Sequence, residues 1–556
     1  MRRALRPSIS AVFAALFFVS VYTTSASDRG AVTFSKDIAP IFYARCAECH
    51  RPGEAGTFSV LSYKDVRPWA RSIKEKVLTR EMPPWHADPH TGKWINDRRL
   101  TEEQVRKIAA WVDQGAKEGD PADLPPAPRF TESWTIGKPD VIIQMPEEYT
   151  LDASGPDEYQ YFDVPTNFTE DKYVQMAEAR PGNRKIVHHI IAFIVPAGTP
   201  NLSKMSKEMR DKAVEMSLKS TPFYRDGFLI RMRENQPVYN DGSEIPAKLR
   251  RYNTVDDFLT AYAPGSNYGV WRPGTAKRIP AGAIIRFQVH YSKVAGKVEN
   301  DRSMVGLIFA KEPPSDLVRT RAVANVFFEV PPGADNHRVT AEWTPKNDIT
   351  IFALMPHMHY RGKAMEFKVT YPDGRNEVLL NVPRYSFAWQ TTYEPATPIR
   401  IPAGSKIKVT GYFDNSAKNR FNPDPTKAVR HGEPTYDEMM MGFMDYIVER
   451  PATPARIDQK VLESYVGVYD FGNNRTYVVT REGGRIFGQA TANPRRNLYA
   501  VSETKFVIPE VESLVTFVRD EKGEVVELIY EQEDRVVRCK KVKGAIAPNA
   551  EPKGLL

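Results

Sequence analysis

The chain is poor in cysteine, with three in 556 residues. Cys46 and Cys49 share one motif, which leaves Cys539 alone and excludes an intramolecular disulfide framework. Long apolar runs are also scarce. The one near the start, Ser8–Tyr22, is short for a membrane span, and no later run is long enough. A basic stripe is missing too. The formal net charge is +8, and without Arg2, Arg3 and Arg6 about +5 remains, spread along the chain. That distribution gives no electrostatic case for nucleic-acid binding. Histidine is rare, ten in all, so clusters of it carry information.

What is present points to several domains. The length exceeds one core. The 44 prolines favour turns, linkers and edge strands over a helical bundle. Residues 1–27 read as a secretory leader: Arg2-Arg3, the apolar run, then small residues at Ser25-Ala26-Ser27. The expectation is an exported, periplasmic protein with no membrane span in its mature chain; an uncleaved anchor is the alternative.

Residues 28–120 read as a small helical domain built around Cys46-Ala-Glu-Cys49-His50, the C-x-x-C-H of covalent haem attachment. Two thiols one turn apart can bond the haem vinyls, and the next imidazole can serve as axial ligand. A zinc or redox C-x-x-C would want a second Cys/His pair or a βαβ setting, and neither is present. Met82 is the candidate sixth ligand, since a thioether raises the potential. His86 and His90 compete with it, and a plain core methionine is the other reading. Thr101 and Gln104 form a capping box, Val105, Ile108, Ala109 and Val112 an apolar stripe, and Gly115 a stop. Together with Asp37–His50, this stretch resembles the class I cytochrome c family over about 90 residues. Residues 121–130 are a Pro-rich linker.

The remainder is patterned as short strands between turn residues, which suggests antiparallel sandwiches. One β-domain spans 131–314, with a charged, partly helical insertion at about 200–262 that includes Leu202–Leu218. A second spans 315–455. Strands are expected at Tyr159–Val164, Lys185–Val195, Ile284–Tyr291, Ala324–Val330, Thr350–Met355, Tyr393–Ala396 and Lys406–Phe413, among others. Residues 456–545 form a last, small barrel-like β-unit, starting with a strand at Leu462–Phe471, and 546–556 are a tail. This unit resembles the lipocalin-like domain of unknown function that follows serine hydrolase domains in bacterial proteins. The fold class is thus multidomain and mainly β, with one small helical domain, two jelly-roll-like sandwiches and a terminal barrel.

Five histidines on these strands are candidate metal ligands. His357 and His359 are two apart, so on a strand they face the same way. His188-His189 and His290 lie on two other strands, and three imidazoles suit copper or zinc. Neighbours on a regular strand face opposite ways, so a metal shared by His188 and His189 needs a bulge or a strand end. One of the pair as a core histidine is the simpler alternative. Met439, in Asp437-Glu438-Met439, could add a thioether that favours reduced copper, although a Met-rich strand is more often core.

The order of these pieces is VHH at 187–189, VHY at 289–291, PHMHYRGK at 356–363 and DEM at 437–439. It is similar to that of the copper type II, ascorbate-dependent monooxygenases, over roughly residues 135–450. The resemblance implies an electron-relay copper on His188, His189 and His290, and an oxygen-activating copper on His357, His359 and Met439. It further implies hydroxylation of a substrate C–H bond with O2, two domains facing across a solvent cleft, and an electron donor that is ascorbate-like or a redox protein. Two departures stand out. This chain lacks the disulfides of the animal enzymes. Where the peptide hydroxylase grips a carboxylate, it places Met355, Met441 and Phe443, which cannot form a bidentate clamp. The expected substrate is therefore small and more apolar, with covalent haem c relaying electrons to two coppers. A non-catalytic periplasmic redox or copper-binding protein on the same scaffold is the alternative, and a haem-based sensor is a third reading.

Overall fold

In the computed structural model, the described residues are 31–198, 230–233, 236–239, 258–263 and 268–542, except 55, 131–133, 156, 433, 452–453, 492 and 533–534; for 230–233 and 236–239 this covers the backbone alone. The expected leader, the helix at Leu202–Leu218 and the tail lie outside them.

The helical unit packs Ala39–Arg45, Ala70–Leu78 and Glu102–Asp113 around Phe34, Phe42, Ile108 and Trp111. The capping box forms as expected: Thr101 Oγ1 accepts from the Gln104 N–H, and Gln104 reaches back to the Thr101 N–H. Gly115 ends the helix at φ +96°, where a Cβ would be strained.

Two sandwiches follow. In the first, one sheet runs Glu158–Pro165, Ile284–Tyr291, Val187–Val195, Phe258–Tyr262. It packs against a sheet in which Met304–Phe309 and Lys172–Arg180 are central. The Phe258–Tyr262 strand falls in the stretch read as an insertion, yet it pairs with Val187–Val195. In the second sandwich, one sheet runs Arg319–Ala324, Met441–Val448, Ile349–His357, Ile399–Ile401. The other runs His337–Trp343, Lys406–Phe413, Gly362–Thr370, Asn376–Val382. Ile351, Leu354, Phe367, Val409, Met444 and Tyr446 fill the space between. The last unit is an eight-stranded meander from Gly467–Gly472 to Arg535–Lys540. Its ends meet through a Tyr469–Lys541 bridge, so the sheet nearly closes into a barrel. Cys539 is a packed thiol in its core.

Three strand expectations differ from the structure. Ala324–Val330 breaks after Ala324, because the Asn325 side chain accepts from the Phe327 N–H and donates to the Thr340 carbonyl. Leu462–Phe471 begins as a helix, Gln459–Tyr465, capped by Asp458, with Val461, Leu462 and Tyr465 turned inward at helical spacing. Tyr393–Ala396 makes only isolated bridges. Its partner there is a segment of the helical unit: the Ile95 N–H donates to the Glu394 carbonyl and the Ala396 N–H to the Lys93 carbonyl. This strap, Trp85 to Asn96, leaves its own domain and buries Trp85, Ala87 and Trp94 in the core of the second sandwich.

Candidate metal centres

The first centre depends on an irregular strand. His189 sits opposite His290, and the next residue of that strand, Tyr291, sits opposite Val187. His188 is therefore the extra residue of a bulge. The bulge removes the obstacle of adjacent side chains facing opposite ways. One ligating atom from each of His188, His189 and His290 lies within 4.8 Å of the others. All three Nδ1 atoms are buried without a hydrogen-bond partner among the described residues. Leaving each unmet costs about 1–3 kcal/mol, and a bound metal ion would remove that cost for the nitrogens that ligate it. The Nε2 of His290 lies 3.0 Å from Asp157 Oδ2, a carboxylate–histidine pair that orients the ring. Tyr159 stacks on His290, with ring centroids 4.4 Å apart. Burial pushes His188 down to about 4 and His189 well below its ordinary value. Both imidazoles are thus neutral at pH 7, the form that coordinates metal.

The second centre lies at the end of the Ile349–His357 strand. The rings of His357 and His359 are 5.3 Å apart and perpendicular. His357 Nδ1 donates to Gln390 Oε1 at 2.8 Å, and His359 Nδ1 donates to the Asp437 carbonyl at 3.1 Å. With Nδ1 protonated, each ring presents the Nε2 lone pair, the arrangement that a metal ligand needs. Burial keeps both rings neutral.

The main chain at His359 and at Met439 is tied to one carboxylate that sequence reading passed over. Glu438, fully buried, accepts the His359 N–H at 2.9 Å, the Arg361 N–H at 2.6 Å, and the N–H of Met439. Arg361 lies 4.0 Å from it and donates to the Tyr436 carbonyl. Burial pushes the Glu438 carboxyl up to about 8, against these donors. Every partner named here donates to it, so a carboxylic O–H would find no acceptor among them, and the ionised form fits the site. The signal was in the DEM motif, read for its methionine. His431 was also missed: it bridges to Glu438 on the backbone and packs on Phe328.

Register places Met355 opposite Phe443, and His357 opposite Met441. These residues therefore share the face of the sheet that carries His357, as the sequence suggested. Phe443 is 6.2 Å from the His357 ring and 6.1 Å from Phe258 of the first sandwich. The sandwiches are also joined where Trp271 Nε1 donates to Asp445 Oδ2 at 3.2 Å. Between the two centres stands Phe387. It stacks on His188 at 5.3 Å and meets His359 edge-on at 5.8 Å. The expected solvent cleft is filled at this point by one aromatic ring.

In the helical unit, the N–H groups of Cys49 and His50 both donate to the Cys46 carbonyl, at 3.1 and 2.9 Å, closing one turn. Both thiols are free. His50 Nδ1 donates to the Phe58 carbonyl at 3.2 Å, so that Nε2 carries the lone pair that could ligate a metal. Gly56 crosses this turn closely: a Cβ there would meet the Cys49 carbonyl at 2.7 Å. This arrangement suits covalent haem. Met82 lies half-buried just before the strap, while His86 and His90 lie on it.

Residues 333–466 match the family model of the copper type II ascorbate-dependent monooxygenase, C-terminal domain. That span holds His357, His359 and Met439, and the second sandwich is copper-monooxygenase-like. Residues 451–541 match a domain of unknown function, DUF3471. No curated protein matches the chain. Among solved structures it is similar to the Penaeus vannamei nodavirus T=3 particle, 10% identical over 58% of this chain and 94% of that one, with a TM-score of 0.12. It is also similar to the infectious bursal disease virus VP2 subviral particle, 10% identical over 56% and 71%, TM-score 0.14. Likenesses this weak carry no argument. Among the described residues, no helix is long and apolar enough to cross a membrane.

Proposed function

We propose that this chain is an exported copper monooxygenase that hydroxylates a C–H bond of a small, apolar organic substrate. O2 takes two electrons and two protons from a reductant, giving one oxygen to the substrate and one to water. The observation that carries the reading is the preparation of both histidine sets as ligands, one by buried orphan nitrogens and one by fixed tautomers. Copper held by His357, His359 and Met439 would supply oxygen activation, and copper held by His188, His189 and His290 would supply the second electron.

The protein's own groups do the rest. Gln390 and the Asp437 carbonyl hold the protons on His357 and His359. Glu438 fixes the main chain at His359 and Met439 together. Met355, Met441 and Phe443 offer an apolar surface beside His357. Phe387 excludes water between the two sets of imidazoles. Haem c, which Cys46, Cys49, His50 and Met82 would hold, would bring electrons in. The docked strap supports a fixed placement of this donor.

Haem and copper content of the mature protein, with EPR of the oxidised form, tests the reading. One haem and two type II coppers are expected, with one copper signal lost in His357→Ala. One haem without stoichiometric copper would overturn it and leave a redox protein on this scaffold.

A further inference from the structure

The C-terminal barrel holds a cavity that none of the redox chemistry uses. It is a solvent-open pocket of about 130 Å3. Phe471, Tyr477 and Tyr530 line it and touch one another at centroid distances of 5.4–6.1 Å. Arg475, Arg496 and Arg535 line it as well. Elsewhere on the barrel, Arg481, Arg495 and Arg538 each meet a carboxylate. None of the three cavity arginines does so among the described residues. Arg475 and Arg535 instead sit over the Phe471 ring at 5.4 and 5.3 Å, and Arg496 reaches only the Pro494 carbonyl, at 3.4 Å.

A second observation concerns the aromatic floor. Tyr477 is 2% exposed, and its hydroxyl is buried with no hydrogen-bond partner among the described residues. Gly488 makes room for it, since a Cβ there would meet that oxygen at 2.1 Å. A buried hydroxyl without a partner costs about 1–3 kcal/mol. Three guanidinium groups line this one cavity, and none of them is within ion-pair distance of a carboxylate among the described residues. The arginines and the rings are met by one kind of occupant. An anion pairs with the guanidinium groups, bidentately if it is planar. A flat apolar body lies against the three rings.

We infer that the barrel is a binding site for a small aromatic carboxylate, held by Arg475, Arg496 and Arg535 over the floor formed by Phe471, Tyr477 and Tyr530. The site needs no metal or haem, so it stands independently of the proposed oxygen chemistry.

Calorimetry on the full chain tests this with 2-naphthoate, neutral 2-naphthamide and inorganic phosphate as probes. Saturable 1:1 binding of naphthoate is expected, at least tenfold tighter than either of the others. Arg496→Gln should weaken it at least tenfold. Arg535→Gln, at an exposed position where folding is not at stake, should weaken it several-fold. Equal affinity for the amide would overturn the role of the arginines, and equal affinity for phosphate that of the aromatic floor. Absence of saturable binding, or unchanged affinity in both arginine variants, would overturn the site itself.

Discussion

Glu438→Gln tests how the second centre is held. The substitution keeps the shape and replaces one acceptor oxygen by a donor NH2. In the native protein Oε2 faces the His359 N–H at 2.9 Å and Oε1 faces the Arg361 N–H at 2.6 Å, in a residue with no exposed surface. Whichever way the amide turns, one buried N–H loses its acceptor and meets another donor. A hydrogen bond to a charged group contributes about 1.5–3 kcal/mol, and a stranded N–H costs a similar amount. A net loss of about 2–3 kcal/mol follows for the contact between the His359–Arg361 segment and Glu438. Amide hydrogen exchange at His359 and Arg361 reports that loss directly. It should speed up about 30- to 150-fold at pH 9, while the barrel amides stay unchanged. Copper retention at this centre should fall in parallel. Unchanged exchange would refute the reasoning, for it would mean that the site holds a neutral acid, which glutamine imitates.

Asp157→Asn should weaken metal binding at the His188/His189/His290 centre by about 10- to 100-fold, since the carboxylate orients His290; a competition titration with a chelator measures it. Phe387→Ala should cost about 3–5 kcal/mol where the ring is buried and admit water between the centres, lowering product formed per O2 consumed; Phe387→Tyr should retain the coupling. Glu178 is buried, and burial pushes its carboxyl above the ordinary 4.5. The folded chain then holds a proton that the unfolded chain has released, so this group's contribution to stability falls as pH rises from 4.5 through the raised value. Urea unfolding of Glu178→Gln should show a flatter dependence across that window.

The parts of the sites readable from sequence were those set by local spacing. His357 and His359 were picked out by their spacing of two, although the strand ends at His357 and His359 lies just beyond it. The Thr101 and Gln104 cap needed only helix geometry. The bulge at His188 was required by the chemistry but not visible, because a register shift is decided by the partner strand. Asp157, Gln390 and Glu438 escaped notice because their roles arise from contacts over 133, 33 and 79 residues of chain. Phe387 joins residues of two sandwiches, and an isolated phenylalanine carries no sign of that. In the fold, Lys406–Phe413 was expected from alternation and matches. The Gln459–Tyr465 helix did not, because a short apolar run fits either period until its cap is weighed.

The strap that carries Trp85 and Trp94 out of the helical unit makes the Pro-rich linker a misleading place to divide the chain. Cutting there would leave both indoles on one fragment and the hole that they fill on the other. At about 25 cal/mol per Å2 and 150–250 Å2 for each ring, the remaining sandwich would forgo roughly 4–6 kcal/mol per tryptophan. The unit bearing Cys46, Cys49 and His50 is thus a built-in part of its neighbour rather than a detachable carrier. Charge passing between them would move within one molecule, at a rate that dilution leaves unchanged.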